Sequence, residues 1–247
     1  MDTILSVPYY PAEDEKLRAT NIHRRRGGNV PNTLEVLQQL VRISDEHEPQ
    51  LYLCSVMPAS SSVASREIKA SFGPNVDLSR CLYRDDHSEP ASSYIIKSSS
   101  ADGRTIVNYN DLPEMTSDEF VAISDSFDNE TPTWYHFEVR LKSTTPSLRF
   151  DFGLTQSFKG RIPDVTLECI RHLRRKHPNV KVSVEVEKPG RSGLESLAAE
   201  ADVVFYSKSW SRERGCSDAT TCVLEQAMIA RKAYALTKLL DSYPETS

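Results

Sequence analysis

The sequence predicts an α/β fold. Apolar, β-prone runs recur along the chain, and segments with helical periodicity lie between them. The length agrees with this class, because 247 residues suffice for one large α/β domain. The predicted buried strands cover residues 51–57, 133–138, 180–186 and 202–207, and the predicted helices cover residues 29–43, 61–71, 116–124, 163–177 and 219–231.

The stretch RRRGGNVPNT, residues 24–33, contains a Gly-Gly pair just before a helical pattern. Gly27 and Gly28 permit backbone conformations and close approaches that larger residues resist, and a helical apolar pattern begins directly after them. We therefore predict a glycine turn that leads into a helix, with Asn29 near the helix cap. The predicted buried face of this helix comprises Leu34, Leu37, Leu40 and Val41.

Asn29 and Asn32 lie on one side of the first turn of this helix. Each side-chain amide both donates and accepts hydrogen bonds, which suits a polyhydroxylated ligand. The alternative is an ordinary glycine turn followed by an asparagine cap.

Composition excludes several classes of protein. The formal net charge of -5 and the pI near 5.7 argue against a general nucleic-acid binder, and the basic triplet Arg24 to Arg26 is expected to be a solvated strand end. The five cysteines are scattered without a Cys-x-x-Cys pair, which predicts neither a zinc site nor a disulfide framework. We expect a reducing, cytoplasmic setting, and no apolar stretch is long enough to span a membrane.

The stretch RRRGGNVPNT resembles the RGGNxxN signature of the pfkB/ribokinase family of carbohydrate kinases, in its ketohexokinase branch. The resemblance implies a ribokinase-like three-layer α/β/α fold with a mostly parallel central sheet and a small β-sheet lid, formed by residues 14–28 and 80–110. Further stretches resemble the same branch in the same order, namely residues 2–19, 102–120, 134–138, the run VSVEVEKP at 182–189, and 202–208.

On the sugar side, the resemblance implies that a set of residues binds the substrate. One of these residues, Arg104, could equally be a charged residue at the start of a hairpin strand. The family's first strand is abbreviated here, so Asp2 is expected to be frayed. The implied sugar-binding residues are Asp2, Gly28, Asn29, Asn32, Arg104 and Glu138.

On the nucleotide side, the resemblance implies ATP with Mg²⁺ as the phosphoryl donor. Strand alternation turns Glu185 and Glu187 to the same face, where they could hold a metal through water or simply form a solvated strand end. No residue is assigned as a direct metal ligand. The residues implied to face the nucleotide or its phosphates are Glu185, Glu187, Lys188, Ser207 and Lys208.

Residues 139–159 interrupt the family pattern. Without them, the strand ending at Glu138 would pass through a short Gly-Arg turn into a helix that begins near Pro163. Introns begin with the letters GT and end with AG. Valine codons, as for Val139, begin with GT, and one of the lysine codons, as for Lys159, ends with AG. We therefore predict that this segment is an intron translated in frame. A genuine surface insertion is the alternative.

Residues 1–236 are interpreted as an incomplete kinase domain, and residues 237–247 resemble nothing in the family. The family's GAGD-type turn, which supplies the catalytic aspartate, is absent from the sequence, so no catalytic residue is assigned. By family the chain is a sugar kinase, but this polypeptide is expected to be inactive or very weak. The alternative is a non-catalytic sugar-binding or regulatory protein that pairs through the lid as a homodimer, without contacts to nucleic acid or membrane.

Overall fold

The structure, a computed structural model, describes residues 1–41, 50–101, 103–127, 132–138, 162–186, 193–229 and 234–238. The predicted insert at 139–159 and most of the predicted tail at 237–247 lie outside these residues. The chain consists of two compact units, Met1–Met115 and Thr116–Ser247. Among the described helices, none has the length and apolar character needed to cross a membrane.

The first unit alternates short strands with two helices. Its elements are β1 (Asp2–Val7), β2 (Asn21–Arg25), α1 (Asn29–Val41), β3 (Leu51–Tyr52), β4 (Val56–Pro58), α2 (Val63–Ala70), β5 (Val76–Asp77), β6 (Leu82–Arg84), β7 (Ser92–Ser98) and β8 (Arg104–Tyr109).

Four strands of the first unit form one sheet in the order β2-β1-β7-β8. Strand β1 pairs antiparallel with β2 and parallel with β7, so both of its edges are hydrogen-bonded. The Met1 ammonium also donates to the Ala91 carbonyl at 2.6 Å. The expectation that Asp2 is frayed is therefore wrong, because the strand that carries it lies inside the sheet.

The remaining strands of this unit pair in parallel, β3 with β5 and β4 with β6. The segment around Cys81 to Arg84, which we expected in the lid, thus pairs with β4 instead. Helix α1 turns Leu34 and Gln38 inward, whereas Leu37 and Leu40 are exposed, so the predicted buried face was only partly right. The core cluster comprises Leu34, Leu53, Met57, Ile68, Val76 and Cys81.

The second unit contains four strands and five helices among its described residues. Its elements are α3 (Ser117–Asp125), β9 (Trp134–Glu138), α4 (Ile162–Lys176), β10 (Lys181–Val186), α5 (Leu194–Glu200), β11 (Val203–Ser207), α6 (Lys208–Glu213), α7 (Ala219–Ile229) and β12 (Tyr234–Lys238).

All four strands of the second unit are parallel, in the order β12-β11-β10-β9. Strand β10 is central, and its apolar run is buried as expected for a parallel sheet covered by helices. Phe120 of α3 packs against Tyr135 and Phe137 on one face of the sheet. The predicted α/β class is confirmed.

Asp202 joins α4 to the amino ends of β10 and β11. Its Oδ2 accepts hydrogen bonds from Arg174 Nη2 at 2.8 Å and from the Val182 N–H at 2.7 Å. Arg174 also donates through Nη1 to the Val180 carbonyl at 2.9 Å. These bonds lie at the edge of the sheet opposite to the strands' carboxyl ends, so we regard them as structural.

Helix α3 begins with a capping box. The Thr116 hydroxyl accepts from the Glu119 N–H at 3.2 Å, and the Thr116 N–H donates to Glu119 Oε2 at 2.9 Å. We therefore expect Thr116→Ala to lower the free energy of unfolding by about 1 kcal/mol, because a helix donor loses its acceptor. Urea denaturation measures this, with Ser117→Ala as the control. Equal losses in both variants would contradict the assignment of Thr116 as the cap.

Candidate functional site

The carboxylate of Asp2 lies directly against the glycine turn. A Cβ placed on Gly27 would be 2.4 Å from Asp2 Oδ1 and 2.7 Å from its Cγ, so no other residue fits there without displacing the carboxylate. The Nε of Arg25 lies 3.5 Å from Asp2 Oδ2, and only 16% of the Asp2 side chain is exposed. The turn thus holds a mostly buried carboxylate in a fixed place.

Helix α1 starts immediately after this contact. Gly28 has a φ of 101°, a conformation that favours glycine, and its carbonyl accepts the Asn32 N–H at 3.1 Å. Gly28 therefore occupies the cap position, and Asn29 is the first helical residue rather than the cap. Asn29 and Asn32 are both exposed on the first turn, as the spacing predicted.

Arg26 anchors the glycine turn to both helices of the first unit. Its guanidinium forms an ion pair with Glu35 of α1, donates through Nε to Ser71 Oγ at 3.0 Å, and lies 4.2 Å from the centre of the Phe72 ring. Only 6% of its side chain is exposed. The expectation of a solvated triplet is therefore wrong for Arg26, whose charge is paired inside the fold.

Arg104 lies at the other end of the four-stranded sheet from Asp2. Asp2 is in register with Ser93 of β7, and Ser93 is in register with Asn108 of β8 and donates to its Oδ1 at 3.0 Å. Arg104 is four residues from Asn108 along β8, about 13 Å at the usual rise per residue. Within the first unit, Arg104 and Asp2 therefore point to the same face without being neighbours.

Glu138 and Glu185 are neighbours in the second unit. They are in register at the carboxyl ends of β9 and β10, which places their backbones about 4.8 Å apart. Both side chains are partly buried. The resemblance implied that Glu138 faces the sugar and Glu185 the nucleotide, because strand pairing is not visible in the sequence.

His136 lies one pleat below Glu138 on the same face of β9. Its Nδ1 is 2.8 Å from Ser183 Oγ, and the Trp134 Nε1–H donates to the same oxygen at 2.8 Å. The His136 ring also packs edge-on against Phe205, with centroids 5.8 Å apart. Its contacts are those of a histidine packed on a strand.

Ser207 and Lys208 lie where β11 passes into α6. The Ser207 hydroxyl accepts from the Trp210 N–H at 3.1 Å and caps the helix, and Lys208 is its first residue. Glu187 and Lys188 lie outside the described residues. Among the residues that the structure does describe, no group of three or more acidic, histidine or cysteine side chains could hold a metal ion.

Comparison with known proteins identifies the fold. The chain matches the structure of Arabidopsis thaliana ribokinase complexed with ribose and ATP, with a TM-score of 0.64 and 14% identity over 96% of this chain and 68% of that one. It also matches a PfkB protein from Polaromonas sp. JS666, with a TM-score of 0.63 and 14% identity over 96% of this chain and 73% of that one. The structure therefore has the ribokinase fold.

The chain also resembles a known protein in its sequence. Mouse ketohexokinase is 28% identical over 220 residues, which cover 87% of this chain and 63% of ketohexokinase. The chain thus spans less than two thirds of that relative's length, and no family model matches it. The chain is thus similar in sequence to a ketohexokinase and similar in fold to ribokinases and a PfkB protein.

Proposed function

We propose that these 247 residues carry the sugar-binding side of an ATP-dependent kinase that phosphorylates a hydroxyl of a ketose or similar sugar in the cytoplasm. The observation that supports this most directly is the Asp2 carboxylate seated against Gly27, in the turn that leads into the exposed Asn29 and Asn32 of helix α1. A carboxylate accepts from two hydroxyls, and amides both donate and accept, so the cluster matches a polyol.

Arg104 and Glu138 belong to the same proposal as further sugar-facing residues. Arg104 shares the face of the four-stranded sheet that carries Asp2, and Glu138 lies at the carboxyl edge of a parallel sheet, where ligands bind in α/β folds. We propose that this four-stranded sheet is the lid that excludes water from the reacting phosphate.

The proposed phosphoryl donor is ATP with Mg²⁺. Ribose and ATP are bound together in the Arabidopsis ribokinase structure, which supports the choice of nucleotide. Glu185, next to Glu138, offers the oxygen chemistry that Mg²⁺ accepts through water, and Lys208 offers a cation for phosphate oxygens. Glu187, Lys188 and Ser207 complete the proposed nucleotide side.

Phosphoryl transfer also needs a base and an oxyanion-binding turn, and no GAGD sequence occurs in these residues. We therefore expect the purified 247-residue polypeptide to bind fructose but not to phosphorylate it. The test incubates the chain with fructose, ATP and Mg²⁺ and assays fructose phosphate. Product formation at the rate of an ordinary sugar kinase would contradict this expectation.

A second candidate function is a non-catalytic sugar-binding or regulatory protein that pairs through the lid. The supporting observation is an exposed apolar row on the face of the sheet opposite to Asp2. Tyr94 is 49% exposed and in register with Val107, which is 59% exposed, and Ile22 is 55% exposed on the same face. A second copy of this chain would cover this row.

If the chain pairs in this way, Val107→Asp should shift it from dimer to monomer, because a charge would be buried at the centre of the interface. Sedimentation velocity measures the change, which we expect to weaken dimerisation at least 10-fold, about 1.4 kcal/mol. Val63→Asp is the matched control, since Val63 is 61% exposed on α2. An unchanged dimer in Val107→Asp, or a monomeric wild type, would contradict pairing through this face.

A further inference from the structure

Arg26 lies at the point where the chain leaves the four-stranded sheet. Strand β2 ends at Arg25, the residue before it, and the two glycines of the turn follow it. Pairing with β1 fixes the chain before Arg26, and helix α1 begins at Asn29. Residues 26–28 therefore set the direction in which α1 leaves the sheet. Because glycine loses more backbone freedom on folding than other residues, this junction gains from a contact that fixes it.

The Arg26 side chain supplies such a contact to two helices. Its guanidinium forms an ion pair with Glu35, in the second turn of α1. Its Nε donates to the hydroxyl of Ser71, the C-cap residue of α2, at 3.0 Å, and its planar end lies 4.2 Å from the centre of the Phe72 ring. Arg26 is thus fixed relative to α1 and α2, and the turn that begins at Gly27 is fixed with it.

These contacts are not those of a residue that serves stability alone. The Nη1 of Arg26 is buried and has no hydrogen-bond partner among the residues that the structure describes. A buried donor without a partner costs free energy. The Glu35 side chain is 47% exposed, so removing Arg26 would not leave a buried charge unpaired. An apolar side chain of similar length is therefore expected to leave the stability nearly unchanged.

We propose that Arg26 is a positioning residue for the sugar site. It holds the glycine turn in the conformation in which the Asp2 carboxylate and the first helical turn, with Asn29 and Asn32, face the same ligand. This inference rests on the proposed sugar-binding function. Only 6% of the Arg26 side chain is exposed, so Arg26 acts through the turn and not by touching the sugar.

Arg26→Met tests the proposal, because methionine keeps the packing against Phe72 and removes the guanidinium. If the turn then adopts the binding conformation in about one molecule in ten, the apparent Kd for fructose rises about 10-fold in calorimetric titration. The apparent Tm should change by less than about 2 °C. Arg66→Met is the matched control, since Arg66 is an exposed arginine of α2, and it should change neither quantity.

Amide hydrogen exchange followed by NMR tests the same proposal without a ligand. The Asn32 N–H donates to the Gly28 carbonyl at 3.1 Å, where the turn passes into α1, and the Ser93 N–H donates to the Met1 carbonyl at 2.8 Å, in the sheet beside Asp2. In Arg26→Met, the Asn32 amide should exchange about 10-fold faster, because the turn opens more often. The Ser93 amide should exchange as in the wild-type chain.

The two measurements separate the positioning role from the sugar site itself. Unchanged fructose affinity in Arg26→Met, or equal acceleration of exchange at Asn32 and Ser93, would overturn the proposal. If the wild-type chain does not bind fructose, the proposed sugar site fails, and exchange alone then decides whether Arg26 holds the turn. Faster exchange confined to Asn32 would support that role, and unchanged exchange would overturn it.

Discussion

Gly27→Ala is expected to weaken sugar binding while leaving the fold intact. The added Cβ would come within 2.4 Å of Asp2 Oδ1. Strands β2 and β7 hold the Asp2 backbone from both sides, so the side chain must rotate and carry its carboxylate away from the turn. We expect fructose affinity to fall at least 10-fold, about 1.4 kcal/mol, measured by calorimetric titration.

The backbone of Gly27 tolerates the substitution. Unlike Gly28, Gly27 does not have a positive φ, so alanine introduces no backbone strain, and stability should change by less than about 1 kcal/mol. Gly103→Ala is the matched control, because the nearest atom to its Cβ would be the movable Tyr10 hydroxyl, at 3.0 Å, and the Ala101 carbonyl at 3.6 Å is in ordinary contact. Unchanged sugar affinity in Gly27→Ala would mean that Asp2 does not face the sugar.

Asp202→Asn is expected to destabilise the second unit. The carboxylate accepts from Arg174 and from the Val182 N–H, and about 25% of its side chain is exposed. Breaking this partly buried pair leaves Arg174 without its counter-charge. We expect the free energy of unfolding to fall by about 2 kcal/mol in urea denaturation, less than for a fully buried pair.

The pH dependence of this loss provides a second measurement. Burial alone would raise the pKa of Asp202, but the Arg174 guanidinium and the Val182 N–H hold it below the ordinary value of 3.8. The stabilisation is therefore complete above pH 3.8 and is lost as the pH falls through the lower folded pKa. The difference between wild type and Asp202→Asn should stay constant from about pH 5 to 7 and shrink below about pH 4.

The control for this series is Asp164→Asn, an exposed aspartate in the first turn of α4. Its effect should stay within about 0.5 kcal/mol across the same pH range. A loss in Asp202→Asn that persists undiminished at pH 2 would show that the carboxylate charge does not provide the stabilisation.

Local sequence signals predicted much of the second unit. The alternating run Val180 to Val186 is long enough and apolar enough to specify a strand, and β10 confirms it. The hydroxyls at Thr116 and Ser117, with Glu119 in the first turn, indicated where α3 begins, and the structure makes Thr116 the cap. Both features depend on residues that are close in the sequence, so they could be predicted without knowing the fold.

Features that depend on distant partners were missed. Strand β1 was not predicted, because Ile4 and Leu5 lie in a strand only through their pairing with β2 and β7, which are separate segments of the chain. The inward position of Gln38 could not be predicted either, since hydrophobicity favoured Leu37. The orientation of a helix is set by what packs against it.

In the candidate site too, features set by neighbours in the sequence were predicted and features set by distant partners were not. The spacing of Asn29 and Asn32 placed both on the first turn of α1, and the structure agrees. The need for a glycine at position 27 arises from the Asp2 carboxylate, which is 25 positions away in sequence but adjacent in space. The adjacency of Glu138 and Glu185 depends likewise on strand register.

Calorimetric titration of fructose into the 247-residue chain and its Asp2→Asn variant tests most directly whether the Asp2 and Gly27 cluster binds sugar. We expect saturable binding to the wild-type chain and affinity at least 10-fold weaker in Asp2→Asn, because the amide keeps the shape of the side chain but accepts fewer hydrogen bonds from sugar hydroxyls. Equal affinity of the two proteins, or no binding by the wild-type chain, would contradict the proposed sugar site.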